Sequence, residues 1–376
     1  MTSPTQGLQL TSTVHDNGTL HIAVQHQTLA QPAHDEVVIE VQATPLNPSD
    51  IGLLCGAADM STAVNQPGQR AISAQIPQRA MPAMAGRMNQ ALPVGNEGAG
   101  RVVAAGNSEA AQALMGKTVA VLAGGMYAQY RIVKAGDCLL LPDGITPAQG
   151  ASCFVNPLTA LGFVETMKRE GHTAMVHTAA ASNLGQMLNK ICLADGIDLV
   201  NIVRQPAQAE LLRGLGARYV CDSSAASFME DLTAAMIATG ATIGFDATGG
   251  GTLTNHILRA MEAALSQDAS TYSRYGSSVK KQVYVYGNLD LSPTQLTRSY
   301  GMAWSVGGWL VFPYLQQLGE DTNNALRKRV VNELTTTFAS HYAQEISLSE
   351  VVDLTQAEAY YQRATSSKFL INPSKG

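Results

Sequence analysis

One strand-to-helix turn carries the small residues that dinucleotide binding requires. A predicted strand over residues 173–177 leads through this turn into a predicted helix over residues 185–193. The positions of the usual G-x-G-x-x-G pattern hold Ala180, Ser182 and Gly185. Small residues let the backbone approach a pyrophosphate, which the helix N-terminus attracts. The alternative is an ordinary helix start capped by Ser182 or Asn183. The predicted phosphate-binding residues are Ala180, Ala181, Ser182, Asn183, Leu184 and Gly185.

A positive charge follows the next predicted strand, residues 197–203. Sites for NAD usually place Asp or Glu at this point to hold the ribose hydroxyls, whereas this chain has Arg204. The guanidinium group offers a fork of donors that suits a 2′-phosphate. The sequence therefore predicts NADPH as the cofactor rather than NADH, and a solvated Arg at a strand end is the alternative.

Composition narrows the class of protein. The chain has 376 residues, of which 45% are hydrophobic, and a net charge of −5. This length suits two domains, and the negative charge argues against nucleic acid or an anionic membrane as a partner. No apolar run reaches membrane-spanning length, and the first residues lack the features of a signal peptide. Five scattered cysteines without CxxC spacing predict reduced thiols in a cytoplasmic protein.

The pattern of strands and helices changes along the chain. Runs at 37–41, 101–105 and 118–122, flanked by turn residues, predict an irregular β-barrel. From about residue 156, strands alternate with helices, which predicts a doubly wound parallel sheet. Residues 57–93 lack sustained strand alternation and are predicted to be a surface insertion or a lid. In the tail, we expect helices at 325–338 and 351–364 and a closing strand at 368–373.

Several segments together resemble the medium-chain dehydrogenase/reductase superfamily. They are Gly95 to Gly106, His177 to Gly185, Tyr127-Ala128-Gln129-Tyr130, Leu141-Pro142-Asp143-Gly144 and Asp246 to Gly250. The resemblance implies a GroES-like catalytic domain with an irregular β-barrel and a Rossmann domain with a doubly wound parallel sheet. We expect the first domain to cover residues 1–154 and 322–376, and the second to cover residues 155–321.

The resemblance also implies a site without a metal. In the zinc alcohol dehydrogenases of this superfamily, His fills the position of Asn96 and ligates the catalytic zinc. A carboxamide is a poor zinc ligand, so the substitution favours metal-free hydride transfer. The eight histidines form no HxxxH or other metal spacing. Glu97 is interpreted as a structural acid, and His177 as the end of a buried strand.

The zinc-free quinone reductases in the superfamily supply the expected roles of further residues. They carry Asn-Pro followed shortly by Asp, as at Asn47-Pro48-Ser49-Asp50, and a Thr near the nicotinamide at the position of Thr159. The resemblance therefore implies Asn47 and Thr159 as catalytic residues. By themselves, Asn47 and Asp50 also suit a turn and a helix cap. Matching segments imply further cofactor-binding residues, which are Thr248, Gly249, Tyr286 and Gly287.

These observations predict a zinc-independent, NADPH-dependent oxidoreductase that reduces a quinone or another conjugated carbonyl. The first alternative is a 2-enoyl-thioester reductase, since residues 91–106 and 201–204 resemble the mitochondrial-type enzymes. Those enzymes carry a proton-donating Tyr shortly after their Asn-Pro-Ser-Asp, and no Tyr lies between positions 47 and 95 here. The second alternative is an NADPH-binding protein with little turnover. The resemblance also implies a homodimer formed through strands of the nucleotide domain.

Overall fold

The computed structural model describes residues 3–267, 273–361 and 368–375. The chain divides into two compact units. Unit 1 comprises residues 1–155 and 339–376, and unit 2 comprises residues 156–338. The later boundary falls after Phe338, whereas the sequence suggested residue 321. The reason is that the helices beyond residue 310 are tied to unit 2: the Arg329 guanidinium donates to the Asp195 carboxylate at 2.7 and 2.9 Å.

The regular elements lie as follows. The strands are β1 Gln6–Val14, β2 Thr19–Thr28, β3 Glu36–Pro45, β4 Asp59–Asn65, β5 Ala71–Gln75, β6 Leu92–Pro93, β7 Glu97–Ala105, β8 Thr118–Leu122, β9 Tyr130–Lys134, β10 Cys138–Leu140, β11 Ala174–His177, β12 Asp198–Val203, β13 Tyr219–Asp222, β14 Ile243–Asp246, β15 Gly249–Gly251, β16 Lys281–Val285, β17 Asp290–Thr294, β18 Trp304–Gly308, β19 Gln344–Ile346 and β20 Phe369–Ile371. The helices are α1 Pro48–Leu54, α2 Glu109–Ala113, α3 Pro147–Gly150, α4 Val155–Arg169, α5 Asn183–Asp195, α6 Pro206–Gly214, α7 Phe228–Thr239, α8 Leu253–Ser266, α9 Val311–Leu318, α10 Glu320–Asn332, α11 Leu348–Val351 and α12 Leu354–Tyr361. Short 3₁₀ segments lie at Gln78–Arg87 and Ala135–Asp137.

Unit 1 is built from two mainly antiparallel sheets, as expected for the β-barrel domain. One sheet has the order β4-β5-β2-β1-β6, and the other has the order β10-β8-β7-β3-β20-β19 with β9 also paired to β3. Strand β3 is rich in β-branched residues, and Val37, Val38, Ile39 and Val41 are all fully buried. The closing strand β20 pairs with β3, so the tail joins the first part of the chain as predicted.

Unit 2 contains a six-stranded parallel sheet with the order β13-β12-β11-β14-β16-β18. Strands β11 to β13 extend the sheet in one direction, and β14, β16 and β18 extend it in the other. The order therefore reverses between β11 and β14, and the carboxyl ends of these strands form the edge where doubly wound sheets bind ligands. The predicted fold class is confirmed, with mainly antiparallel sheets in unit 1 and a doubly wound parallel sheet in unit 2.

The segment over residues 57–93 is more regular than predicted. It contains β4 and β5, which join the sheet beside β2. Residues of β4 are mostly exposed, because this strand lies at the sheet edge, so it carries little hydrophobic alternation. Further along, Arg87 donates to the Leu53 carbonyl and the Ser12 hydroxyl, each at 2.8 Å. The segment is therefore tied to the barrel, and a role as a lid stays a prediction.

The tail differs from the prediction in its helix ends. The helix predicted at 325–338 is α10, which begins earlier and ends at Asn332. The helix predicted at 351–364 is interrupted near Asp353, where α11 ends and α12 begins with Thr355 bound to the Asp353 carboxylate. Residues 362–364 of that prediction lie outside the described residues. Among the helices that the structure describes, none is both long and apolar enough to cross a membrane.

Candidate functional site

The predicted phosphate turn lies between β11 and α5 and is tight. Ala179 adopts a left-handed backbone with φ of 50°, which is unusual for a residue other than Gly. A Cβ at Gly185 would lie 2.2 Å from the Ala180 carbonyl oxygen, so only Gly fits there without a shift. The Ser182 hydroxyl accepts from the Gly185 N–H at 3.1 Å and caps α5. Ser182 therefore caps α5, as the alternative to phosphate binding predicted. The turn also lies at the ligand-binding edge of the sheet.

Arg204 lies at the same edge as this turn. It directly follows β12, which runs parallel to β11 with Asn201 opposite His177, and its side chain is exposed. The Ala180 N–H donates to the Ile202 carbonyl at 3.1 Å, which joins the turn to the end of β12. The fold therefore places Arg204 at the same strand edge as the start of α5, which is the arrangement that the predicted NADPH site needs.

A buried carboxylate organises the centre of this edge. Asp246 ends β14 and is completely buried. Its Oδ1 accepts from the Thr178 hydroxyl at 2.9 Å and from the Thr248 N–H at 2.8 Å. Its Oδ2 accepts from the Thr254 hydroxyl at 2.7 Å. One side chain thus joins the phosphate turn, the loop after β14 and the first turn of α8. Sequence reasoning noted Asp246 within a family motif but gave it no role.

The other predicted cofactor residues lie around this carboxylate. Thr248 is held through its N–H as described above. A Cβ at Gly249, whose φ is 76°, would lie 2.6 Å from the Gly287 carbonyl oxygen, so the two glycine-containing loops meet closely. Tyr286 donates its N–H to the Asp246 carbonyl at 3.0 Å, and its hydroxyl lies 2.7 Å from Nε2 of His177.

A cavity of about 550 Å³ opens next to these loops. Its lining consists of Val285, Tyr286, Gly287, Asn288, Gly308, Trp309, Leu310 and Pro313. None of these eight residues is charged, and most are apolar. The cavity lies at the carboxyl ends of β16 and β18, on the same edge of the sheet as the phosphate turn. Thr159, the predicted catalytic residue of unit 2, lies in α4 and is buried.

Asn47, the other predicted catalytic residue, lies in unit 1 and is 1% exposed. It caps α1, and its N–H donates to Oδ2 of Asp50 at 2.9 Å. Its Nδ2 donates to Oε1 of Glu97 at 3.0 Å. Its Oδ1 has no hydrogen-bond partner within the described part of the chain. The predicted helix cap is therefore present, and Glu97 fixes which way the carboxamide points.

Glu97 is fully buried and is held by backbone donors as well as by Asn47. Its Oε2 accepts from the Phe154 N–H at 2.9 Å and the Val155 N–H at 3.0 Å. Burial raises the pKa of this carboxyl, and the nearby Lys368 charge and the hydrogen bonds oppose the increase. These contacts agree with the interpretation of Glu97 as a structural acid, because it joins β7 to the start of α4 and orients the Asn47 amide.

Asp50 is a second buried carboxyl close to Glu97. It accepts from the Asn96 N–H through Oδ1 at 2.9 Å, in addition to the Asn47 N–H. Burial raises its pKa to about 7, and the Glu97 charge adds to this increase. The Asn96 side chain donates to the Ser49 hydroxyl at 3.0 Å. Among the described residues, no group of three or more His, Cys, Asp or Glu side chains could hold a metal ion.

The sequence gave no signal for the partly buried lysine, Lys368, beside these acids. Lys368 precedes β20, and its Nζ donates to the Ser152 hydroxyl at 2.7 Å. Ser152 is also 2.8 Å from the Tyr342 hydroxyl. Burial lowers the pKa of Lys368 to about 8, although the charges of Glu97 and Asp50 raise it. The cluster depends on the tail packing against the barrel, which a motif search does not detect.

Part of unit 1 matches a known protein family. A GroES-like barrel with an Asn-Pro-Ser-Asp helix start is joined to a parallel sheet with a phosphate turn at its switch point. Residues 33–143 match the family described as the alcohol dehydrogenase GroES-like domain. The match lies within unit 1 and shows that this part of the chain is similar to the GroES-like domain of the alcohol dehydrogenases.

Two curated proteins that resemble parts of this chain are reductases by name. The chain is 30% identical over 207 residues to a mitochondrial enoyl-[acyl-carrier-protein] reductase of Xenopus tropicalis, covering 53% of this chain and 51% of the relative. It is 32% identical over 134 residues to a quinone oxidoreductase of Pseudomonas aeruginosa, covering 35% of this chain and 41% of the relative. The chain thus spans about half the length of the curated relatives that it matches.

A solved structure has the same fold along its whole length. It is that of a protein assigned as an NADPH:quinone reductase from Mesorhizobium loti, and it superposes with a TM-score of 0.75 at 24% sequence identity. The comparison covers 99% of this chain and 100% of the other. At this identity, the likeness concerns the fold.

Replacing Gly185 with Ala should disturb the phosphate turn, because the new Cβ would overlap the Ala180 carbonyl oxygen. We expect a loss of about 1–3 kcal/mol in the free energy of unfolding. Gly214→Ala is the matched control, since nothing lies within 4 Å of a Cβ there. Urea denaturation of both variants measures the difference. Equal stabilities for the two variants would show that the turn is less tight than described.

The raised pKa of Asp50 makes stability depend on pH. The folded protein retains the carboxyl proton up to about pH 7, whereas the unfolded chain releases it near pH 4, so this group stabilises less as pH rises between them. The stability of the wild type relative to Asp50→Asn should therefore fall as pH rises from 5 to 7, as measured by urea denaturation. Asp59→Asn is the control, because the pKa of Asp59 is lowered below this window. A constant difference between wild type and Asp50→Asn contradicts the prediction.

Proposed function

We propose that this chain is a zinc-independent, NADPH-dependent oxidoreductase that reduces a quinone or another conjugated carbonyl acceptor. The observation that carries the proposal is the position of Arg204 beside the phosphate turn at the switch point of the parallel sheet. The names of the relatives, a quinone oxidoreductase and an NADPH:quinone reductase, support the same reaction class.

The residues of unit 2 would hold the cofactor by complementary charge and close backbone approach. The first turn of α5 offers N–H groups and a partial positive charge to the pyrophosphate, and Gly185 lets this turn pack closely against the Ala180 backbone. Arg204 would pair with the 2′-phosphate, which NADH lacks. Thr248, Gly249, Tyr286 and Gly287 lie where the loops after β14 and β16 meet. When bound, NADPH supplies the hydride.

Asn47 is the residue of unit 1 that we propose to face the reacting groups. Glu97 accepts from Nδ2 and thereby fixes the orientation of the Asn47 amide. The support for a metal-free reaction comes from the donor types in this region. Asn47 and Asn96 offer carboxamides, which are weak zinc ligands, and both are engaged with neighbouring polar groups. Thr159 is proposed as the catalytic hydroxyl of unit 2.

A 2-enoyl-thioester reductase is the second candidate, favoured by the enoyl-[acyl-carrier-protein] reductase among the relatives. The chain lacks a Tyr between residues 47 and 95, where the enzymes that it resembles carry their acid. A quinone needs less acid assistance, because the incoming charge is delocalised onto its oxygens. This difference favours the quinone or enone as acceptor. A cofactor-binding role with little turnover is the third candidate.

The acceptor class can be decided by NADPH oxidation with three probes: a fully substituted quinone, a simple enone and an enoyl thioester. A chelator should be present throughout, with NADH as a parallel donor. We expect turnover with the quinone or the enone, insensitive to the chelator. Activity confined to the thioester would instead select the second candidate. NADPH binding without turnover of any probe would select the third.

Arg204→Ala should discriminate between the two cofactors. We expect it to weaken NADPH binding by about 10- to 100-fold, because a charge-assisted contact to the 2′-phosphate is lost. NADH binding should change little. Fluorescence titration with each cofactor measures both values. Arg213→Ala, at another exposed Arg on α6, controls for loss of surface charge. Equal weakening of NADPH and NADH by Arg204→Ala contradicts the assignment.

We also propose a cytoplasmic homodimer. Strand β18 lies at the end of the order in the parallel sheet, with β16 as its neighbour. An edge strand can pair with the same strand of a second copy and continue the sheet. The exposed side chains of Met302 and Leu310 flank this strand and support the proposal, because burial of such groups stabilises an interface.

A further inference from the structure

The direction of one hydrogen bond determines what the cavity beside β16 and β18 can bind. This bond joins Nε2 of His177 to the Tyr286 hydroxyl at 2.7 Å. His177 is completely buried at the end of β11, and Tyr286 lines the cavity. Either group can be the donor, since a neutral imidazole carries one N–H and a phenol carries one O–H.

The surroundings of His177 favour one of its two neutral forms. Burial lowers the pKa of His177 to about 3, so the ring is neutral. Its Nδ1 is buried and has no hydrogen-bond partner among the described residues. A proton on Nδ1 would therefore be a buried donor without an acceptor, which is among the rarest defects in folded proteins. The proton belongs on Nε2, from which it is donated to the Tyr286 oxygen.

This assignment leaves the Tyr286 proton available. With its oxygen accepting from His177, the phenol must direct its own O–H elsewhere, and Tyr286 is one of the residues that line a cavity of about 550 Å³. The ring is held in place, because it lies nearly parallel to His177 and edge-on to Phe163 at a centroid distance of 4.8 Å. The cavity lining includes no charged residue, so its chemistry suits an uncharged acceptor of a hydrogen bond.

We infer that Tyr286 donates a hydrogen bond to a carbonyl oxygen of a molecule bound in this cavity. The identity of that molecule rests on the proposed function, whereas the direction of the His177–Tyr286 bond does not. Two carbonyl groups could accept this hydrogen bond. One belongs to a conjugated acceptor, and the other belongs to the carboxamide of the nicotinamide. In the first case, Tyr286 stabilises the negative charge that develops on the oxygen as the acceptor is reduced.

The direction of the bond can be tested without any activity. In protein labelled with ¹⁵N-histidine, the ring nitrogen shifts distinguish the two neutral forms, and the His177→Gln variant identifies the signal. We expect a protonated Nε2 that remains neutral between pH 5 and 8. A protonated Nδ1 would overturn the inference, because the Tyr286 hydroxyl would then donate its hydrogen bond to Nε2 of His177.

The donor role can be tested with Tyr286→Phe and the full-length protein. The probe is tetramethyl-1,4-benzoquinone, which has no free ring position for the five cysteines to attack. If the partner is the acceptor, kcat/KM for this quinone should fall about tenfold or more while NADPH affinity is unchanged. If the partner is the cofactor carboxamide, NADPH affinity should fall by a similar factor.

Tyr284→Phe is the matched control, since Tyr284 lies two residues earlier, on β16, and its hydroxyl donates to Glu170 and is not part of the cavity lining. Should the protein turn over no acceptor, the proposed function fails but the inference is still tested. In that case, NADPH or the quinone must shift the His177 Nε2 signal of the wild type and bind more weakly to Tyr286→Phe. If Tyr286→Phe matches Tyr284→Phe in both affinities and in kcat/KM, Tyr286 is not a donor to either ligand.

Discussion

A carboxylate buried among apolar strands must be surrounded by hydrogen-bond donors, and each unit of this protein is arranged around such a group. Asp246 in unit 2 accepts from two threonine hydroxyls and one backbone N–H, which come from three separate segments. Glu97 in unit 1 accepts from two backbone N–H groups and the Asn47 amide. Because leaving such a charge unsatisfied costs several kcal/mol, the segments that carry the donors are held in place.

This constraint explains how the loops of unit 2 are positioned for a ligand. The phosphate turn contributes Thr178, the loop after β14 contributes Thr248, and α8 contributes Thr254 to the same carboxylate. Loops at the carboxyl edge of a sheet would otherwise be the least ordered part of the unit. Their common attachment holds the phosphate turn, the loop after β14 and the start of α8 together at one edge of the sheet.

In unit 1, the same constraint acts on the orientation of an amide. At the start of α1, the Asn47 N–H donates to the Asp50 carboxylate, and the Asp50 N–H donates to the Asn47 carbonyl. Glu97 accepts from the Asn47 side chain. The acidic pair is kept beside the cation of Lys368, whose pKa is lowered because it too is buried. Three titratable groups with shifted pKa values thus lie around one carboxamide. Such concentrations of shifted groups are typical of functional sites, although structural networks produce them as well.

Much of the fold follows from local patterns, and some does not. Runs of β-branched residues such as Val37 to Val41 predicted their strands well, because these strands are buried and their side chains carry a strong signal. Strand β4 was missed, since this edge strand is held by backbone hydrogen bonds to β5 without hydrophobic alternation. The break between α11 and α12 was missed because a side-chain cap at Asp353 competes with an otherwise helical sequence.

The sequence by itself determined the residue types on which the site depends: small residues at the turn, Arg204 after β12, and Asn where a zinc site needs His. These are properties of short segments, which motifs capture. Only the tertiary structure decided that Lys368 lies beside Ser152 and Tyr342, that Asp246 joins three loops, and that His177 meets Tyr286. Those pairs are separated by up to 216 residues along the chain. Their proximity arises from strand pairing and burial over the whole fold, which no local pattern encodes.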